Sequence, residues 1–124
     1  MSLETWLVGK LEDVCPRVYR KRLPQSVTVP ALTYQRISTV RGYELSADEE
    51  LPTSRMQVDV WTRGPDDADD LVASLVSTLS GYSDADVHRV EVEDDREWDD
   101  LVGAKHDLDR RIVDLLITYR FTEG

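Results

Sequence analysis

Four aspartates crowd into five positions at Asp66, Asp67, Asp69 and Asp70, inside the stretch MQVDVWTRGPDDADDLVASLVSTL. Carboxylates at that density can hold a divalent metal, line the mouth of an enzyme or begin a helix. A calcium loop of the EF-hand kind requires alternating oxygen ligands, a central glycine and a bidentate glutamate at its twelfth place. Here the aspartates run straight into an apolar stripe of Ala68, Leu71, Val72, Leu75, Val76 and Leu79. Acids in a first helical turn interact favourably with the partial positive charge there, by about 0.3 to 1 kcal/mol each when exposed. The helix-start reading needs no ligand and is the one adopted.

A second acidic cluster, DDREWDD, spans Asp94 to Asp100, with His88, Lys105 and His106 nearby. A metal-dependent nuclease drawing Asp94, Asp95 and Lys105 together is the least implausible enzyme. The spacing matches no zinc-ligand pair on a helix, and neither HExxH nor H-x-E with paired cysteines is present. The cluster is therefore read as a solvated connector. Trp98 in its middle has the composition of an interface anchor, or of a lid folded over the core, and both readings stay open. The serines lack a G-x-S-x-G elbow, and no phosphate-binding glycine loop occurs. Cys15 is the sole cysteine, which rules out an intramolecular disulfide and reads as a small buried hydrophobe. No catalytic, cofactor-binding or metal-ligating residue is assigned.

Charge narrows the partners. The 124 residues carry 25 acids against 15 Lys and Arg, a formal net charge of -10. This balance argues against a basic binder that wraps nucleic acid, because phosphate affinity comes from cations that displace counterions. Abundant aspartate with few lysines fits either a salt-rich host cytoplasm or a high-GC genome. A thermal melt across KCl concentrations separates these, since only a salt-adapted protein gains stability into the molar range. No apolar run is long enough to span a bilayer and no basic-then-apolar leader opens the chain, so the expectation is a soluble, unexported protein of one domain over residues 1–124.

The elements that must position these residues follow from periodicity. Leu3, Trp6, Leu7, Leu11 and Val14 predict a helix over 3–14 with Ser2 as N-cap, ended by Pro16. Arg17 to Lys21 reads as a short strand and Pro24 to Pro30 as a proline-punctuated connector. ALTYQRISTV (31–40) is rich in β-branched and aromatic residues and predicts a strand, with Leu32, Tyr34 and Arg36 facing one way and Thr33, Gln35 and Ile37 the other. The acidic loop RGYELSADEELPTS (41–54) follows; loops of this length in small domains are commonly functional or disordered. RMQVDVWT (55–62) predicts a strand with Met56, Val58 and Val60 toward the core and Gln57, Asp59 and Trp61 away from it. A second helix closes at Gly81, Val87 to Glu93 reads as an imperfect strand, and RIVDLLITYRFT predicts a last strand with Val113, Leu115, Ile117, Tyr119 and Phe121 on one face. The sum is an α+β fold: a mostly antiparallel sheet of four to five strands with two helices packed on one face.

Taken together, the N-terminal helix, the phrase VPALTYQRIS (29–38), a long variable loop, SRMQVDVWTRGPDDADDLVASLVSTL (54–79) and the closing RRIVDLLITYRF (110–121) resemble the tail-completion proteins of long-tailed, siphovirus-like phages and archaeal viruses, also called tail terminators or tail-to-head joining proteins. The resemblance covers most of the chain. It implies a structural virion protein without chemistry or cofactor, assembled in the host cytoplasm into a ring, usually of six copies, at the head-proximal end of the tail. It also implies partners: further copies of itself, the tail tube protein and a head-tail connector, with DNA passing through and no membrane. The family offers no residue motif to transfer, so site candidates come from physics. Arg41, Tyr43, Leu45, Leu51, Trp61 and Trp98 are candidates for a subunit or partner interface, and Leu116 joins Trp61 in lacking a core role. Glu44, Asp48, Glu49, Glu50, Asp94, Asp95, Asp99 and Asp100 are candidates for an acidic lumen that repels passing DNA. The rival from another class is a small acidic DNA mimic, which would array its acids along one elongated face.

Overall fold

The computed structural model describes residues 1–41, 51–98 and 108–121. Helix α1 spans Leu3–Glu12, and the Ser2 hydroxyl accepts the Thr5 backbone N–H at 3.1 Å, the expected N-cap. Leu3, Trp6, Leu7 and Leu11 recur on its buried face. The helix stops two residues before the predicted end. Pro16 disfavours helical backbone at the residue before it, and the chain leaves through tight turns in which the Val14 and Cys15 N–H groups both bond the Leu11 carbonyl. Val14 still packs against the core, and Cys15 is buried.

The strands are β1 (Val18–Arg20), β2 (Ala31–Val40), β3 (Thr53–Thr62), β4 (Val87–Trp98) and β5 (Asp109–Tyr119), with α2 (Pro65–Leu79) between β3 and β4. They form one sheet in the order β1-β2-β3-β5-β4, parallel only between β1 and β2. Helix α2 packs over β3, β5 and β4, and α1 over α2 and β1. The predicted α+β layout is therefore the observed one. Alternation decides which face the helices cover: Leu32 on β2, Met56, Val58 and Val60 on β3, and Val113, Leu115, Ile117 and Tyr119 on β5 are all fully buried with Leu7, Leu75 and Leu79 of the helices.

Helix α2 starts as its sequence suggests. Gly64 caps it without a side-chain bond, Pro65 occupies the first turn where its missing N–H costs nothing, and exposed Asp66 and Asp67 face the positive end of the helix. After it, Gly81 takes a left-handed φ of 74°, a conformation that any side chain would strain.

One segment departs from expectation. Asp94 to Trp98, read as part of a solvated connector, continue β4 as strand. Asp and Glu have weak strand preference, but cross-strand partners outweigh it. Arg96 bonds both Asp94 (2.8 Å) and Asp114 of β5 (2.5 Å), and Arg111 reaches Glu97 at 3.2 Å. Two register shifts, at Val87/Arg89 and Val92/Asp94, bend this strand along the sheet edge.

Candidate interaction surfaces

With the helices covering one face of the sheet, candidate surfaces lie on the opposite face and along the two edges. On the open face, Asp59 is 5% exposed although it stands on the side turned away from the core. Its carboxylate accepts from Arg110 Nε at 2.9 Å and Nη2 at 2.5 Å, and from Gln57 Nε2 at 2.9 Å. The same guanidinium lies 4.9 Å from the ring centre of Trp61, whose Nε1 donates to Thr33 Oγ1 at 3.1 Å. A charge buried this way is tolerated because it is paired and hydrogen-bonded on several sides. Residues from β2, β3 and β5 thus form one polar knot that no local sequence pattern announces; the signal was a lone Asp and Trp alternating with the apolar face of β3.

Beyond the knot the open face carries further opposed charges. Arg55 bridges to Glu93 of β4 at 2.5 Å, and the Arg96 guanidinium sits between Asp94 and Asp114, with its pKa raised chiefly by the hydrogen bond to Asp114. Among the described residues, arginines interleave with the acids of this face. Leu116 is half-buried among these pairs, opposite Arg55 and Glu91.

The sequence candidates distribute as follows. Trp61 is half-buried in the knot rather than standing free. Trp98 ends β4 at the register position of Arg110, in the same cross-strand row as Trp61. Arg41 is exposed just past β2, and Leu51 is half-buried just before β3. Asp94 and Asp95 are exposed and oppose Asp114 and Val113 respectively. Successive strand residues point to opposite faces, so this pair does not converge on one metal ion, and the nuclease arrangement loses its centre. Tyr43, Glu44, Leu45, Asp48, Glu49, Glu50, Asp99, Asp100, Lys105 and His106 lie outside the described residues. Among the described residues no group of three or more His, Cys, Asp or Glu is placed to hold a metal, and no helix is long and apolar enough to cross a membrane.

Of the four opening aspartates, Asp69 has a role beyond the helix start. It binds Arg111 Nη2 at 2.6 Å, and Arg111 also meets Glu97, so one arginine ties α2, β5 and β4 together. On the other flank Arg36 joins β2 to α1 through Glu4 at 2.8 Å. His88 lies on the edge strand β4, 3.3 Å from Arg120 through Nδ1.

A family model described as "Tail completion protein gp17" matches residues 5–120. No curated protein matches the chain. Among solved structures, the chain is similar to one in the "Virion of native gene transfer agent (GTA) particle", with a TM-score of 0.66 and 12% identity, over 90% of this chain and 84% of that one. At that identity the likeness concerns the fold.

Proposed function

The chain belongs to the tail completion protein gp17 family and is a structural component of the virion tail, and from this we propose that it terminates the tail as a ring at the head-proximal end. Six copies cap the tail tube and receive the head-tail connector, and DNA passes through the centre without specific binding. The family match over residues 5–120 carries this reading. The geometry agrees with a role in assembly: on the open face Asp59 pairs with Arg110, Glu93 with Arg55, and Asp94 and Asp114 with Arg96, which leaves charge such as Arg20 and Asp95 at the edges. The lumen draws its carboxylates from Glu44, Asp48, Glu49 and Glu50 and from Asp94, Asp95, Asp99 and Asp100, because acids repel the duplex where lysine or arginine would hold it. Arg41, Tyr43, Leu45, Leu51, Trp61 and Trp98 supply the contacts to neighbours.

The test is light scattering of the purified chain with negative-stain imaging of the same fractions, alone and with isolated tail tubes. Rings of about six subunits, or tubes newly capped at one end, are expected. A chain that stays monomeric alone and leaves tube ends bare would sink the reading.

A further inference from the structure

The two edges of the sheet carry opposite charge. From residue 14 to residue 41 the chain has no carboxylate at all and six cations: Arg17, Arg20, Lys21, Arg22, Arg36 and Arg41. From residue 84 to residue 97 it has seven carboxylates against two arginines. Strand order puts the first segment at one edge, as β1 and β2, and the second at the other, as β4. In a protein with a net charge of -10, so strong a basic edge is not a solubility device.

The basic edge is also incompletely paired. Three-residue β1 covers β2 only from Leu32 to Tyr34, and among the described residues no strand runs beside β2 past Tyr34 on that side. This same stretch holds Ile37, 48% exposed, and Val40, 68% exposed; with Met1 they are the exposed large hydrophobics of the described chain. Arg20, Lys21, Arg22 and Arg41 are exposed beside it. Glu4 and Glu12 line a groove on this flank together with Arg20, but Glu4 is held by Arg36. At the other edge β4 offers twelve residues of backbone, with Glu91, Glu93, Asp94, Asp95 and Glu97 exposed along it; Arg89, Arg55, Arg96 and Arg111 each meet one of these within the copy, so the edge keeps an acidic excess that is partly neutralised.

We propose that the acidic β4 edge of one copy docks on the open β2 edge, Gln35 to Arg41, and its flanking Arg20, Lys21 and Arg22 of the next copy. The contact is head-to-tail: each copy uses one edge to give and the opposite edge to receive, the kind of interface that closes into a ring when the rotation between copies allows. Backbone pairing supplies the register, Ile37 and Val40 the apolar contact, and the opposed charges the orientation, since acid meeting acid is repelled. The inference rests on the ring reading and deepens it by naming the seam. It also moves Asp94 and Asp95 into that seam and leaves the lumen to Glu44, Asp48, Glu49, Glu50, Asp99 and Asp100.

Two charge-reversed chains test it. One carries Arg20→Glu, Lys21→Glu and Arg22→Glu; the other carries Asp86→Lys, Glu91→Lys and Asp95→Lys. All six positions are exposed, and circular dichroism with thermal melts verifies the fold of each. In light scattering each variant alone is expected at the monomer mass of 14.2 kDa, and their equimolar mixture is expected to recover rings, because every acid-to-base seam is then restored with alternating partners. Val40→Asp, at an exposed position, gives a second readout: rings are lost without a change in the melt. Rings formed by either triple variant alone, a mixture that stays monomeric, or rings that survive Val40→Asp overturn the proposal while leaving the ring itself standing. A wild-type chain that forms no ring, alone or on tubes, overturns both.

Discussion

The two faces of the sheet solve the same problem by different means. On the helix side, burial is apolar and redundant: Leu3, Leu7, Leu11, Leu75 and Leu79 press on Met56, Val58, Val60, Val113, Leu115 and Ile117, and what polarity enters is a chain of hydroxyls, with Ser54 Oγ 2.7 Å from Thr39 Oγ1 and 3.0 Å from the Tyr119 hydroxyl. On the open side, burial centres on a charge: Asp59 gathers Arg110, Gln57 and, through the arginine, Trp61, with Thr33 and Ile112 buried beside it in the same cross-strand row. Apolar contact is non-directional and tolerates small shifts, whereas a paired charge loses much of its worth when one partner is removed. The helix face therefore supplies most of the stability, and the open face fixes which strands stand beside each other.

The largest expected effect lies on the helix face. Leu75→Ala, at a fully buried position in contact with the sheet, should cost about 2 to 5 kcal/mol in urea unfolding. Asp59→Ala should cost less, about 1 to 3 kcal/mol, because it removes the carboxylate from an arginine whose side chain is still 25% exposed to water. If the two losses came out equal, or Asp59→Ala were neutral, the contrast between the faces would fail. Trp61→Phe removes the Nε1 donor and weakens the stacking of Arg110, for about 1 kcal/mol, and the same loss measured in an Arg110→Gln background should shrink.

The smallest effect is at the turn before β4. The Asp84 carboxylate accepts from the Tyr82 hydroxyl at 2.7 Å and from the backbone N–H groups of Asp86 and Val87, and the Tyr82 bond first among these holds its pKa below the ordinary 3.8. A depressed folded-state pKa means that the stabilisation is present above the unfolded value and is lost as pH falls through the folded one. Asp84→Asn should therefore lower the melting temperature slightly near neutrality and flatten its fall below about pH 3.8, as a melt series across pH would record. An unchanged acid limb would remove Asp84 from the account.

Much of this architecture was legible before any coordinates. The bounds of β2, the Ser2 cap, the inward residues of β3 and β5 and the glycine after α2 all follow from local rules, because each depends on residues within one turn or one pleat. What escaped were relations across the chain. Asp59 and Arg110 are 51 residues apart, and Asp69 and Arg111 are 42 apart, so neither pair leaves a mark on periodicity. The second half of β4 escaped for the same reason: Asp94 to Glu97 read as loop until the register supplies Asp114 and Arg111 as their partners. The opposed charges of the two edges were present in the composition of the segments, but only strand order makes them edges. The family resemblance came through because it depends on the sequence of elements rather than on such long-range pairs.

The strand order also constrains how the chain is made. β2 and β3 are neighbours in sequence, as are β4 and β5, but the central seam joins β3 to β5, with Thr53 opposite Thr118 at a separation of 65 residues. During synthesis the first half emerges with Met56, Val58 and Val60 in place and no β5 to receive them. Long-range pairing of this kind is slow to close, and unpaired apolar strand is where chains associate wrongly while they wait. Carboxylates at Asp66, Asp67, Asp69 and Asp70 leave the ribosome directly after β3 and before any of its later partners. Charges that flank an apolar strand are the general means by which sequences limit such association, and these four stand at that position in the chain.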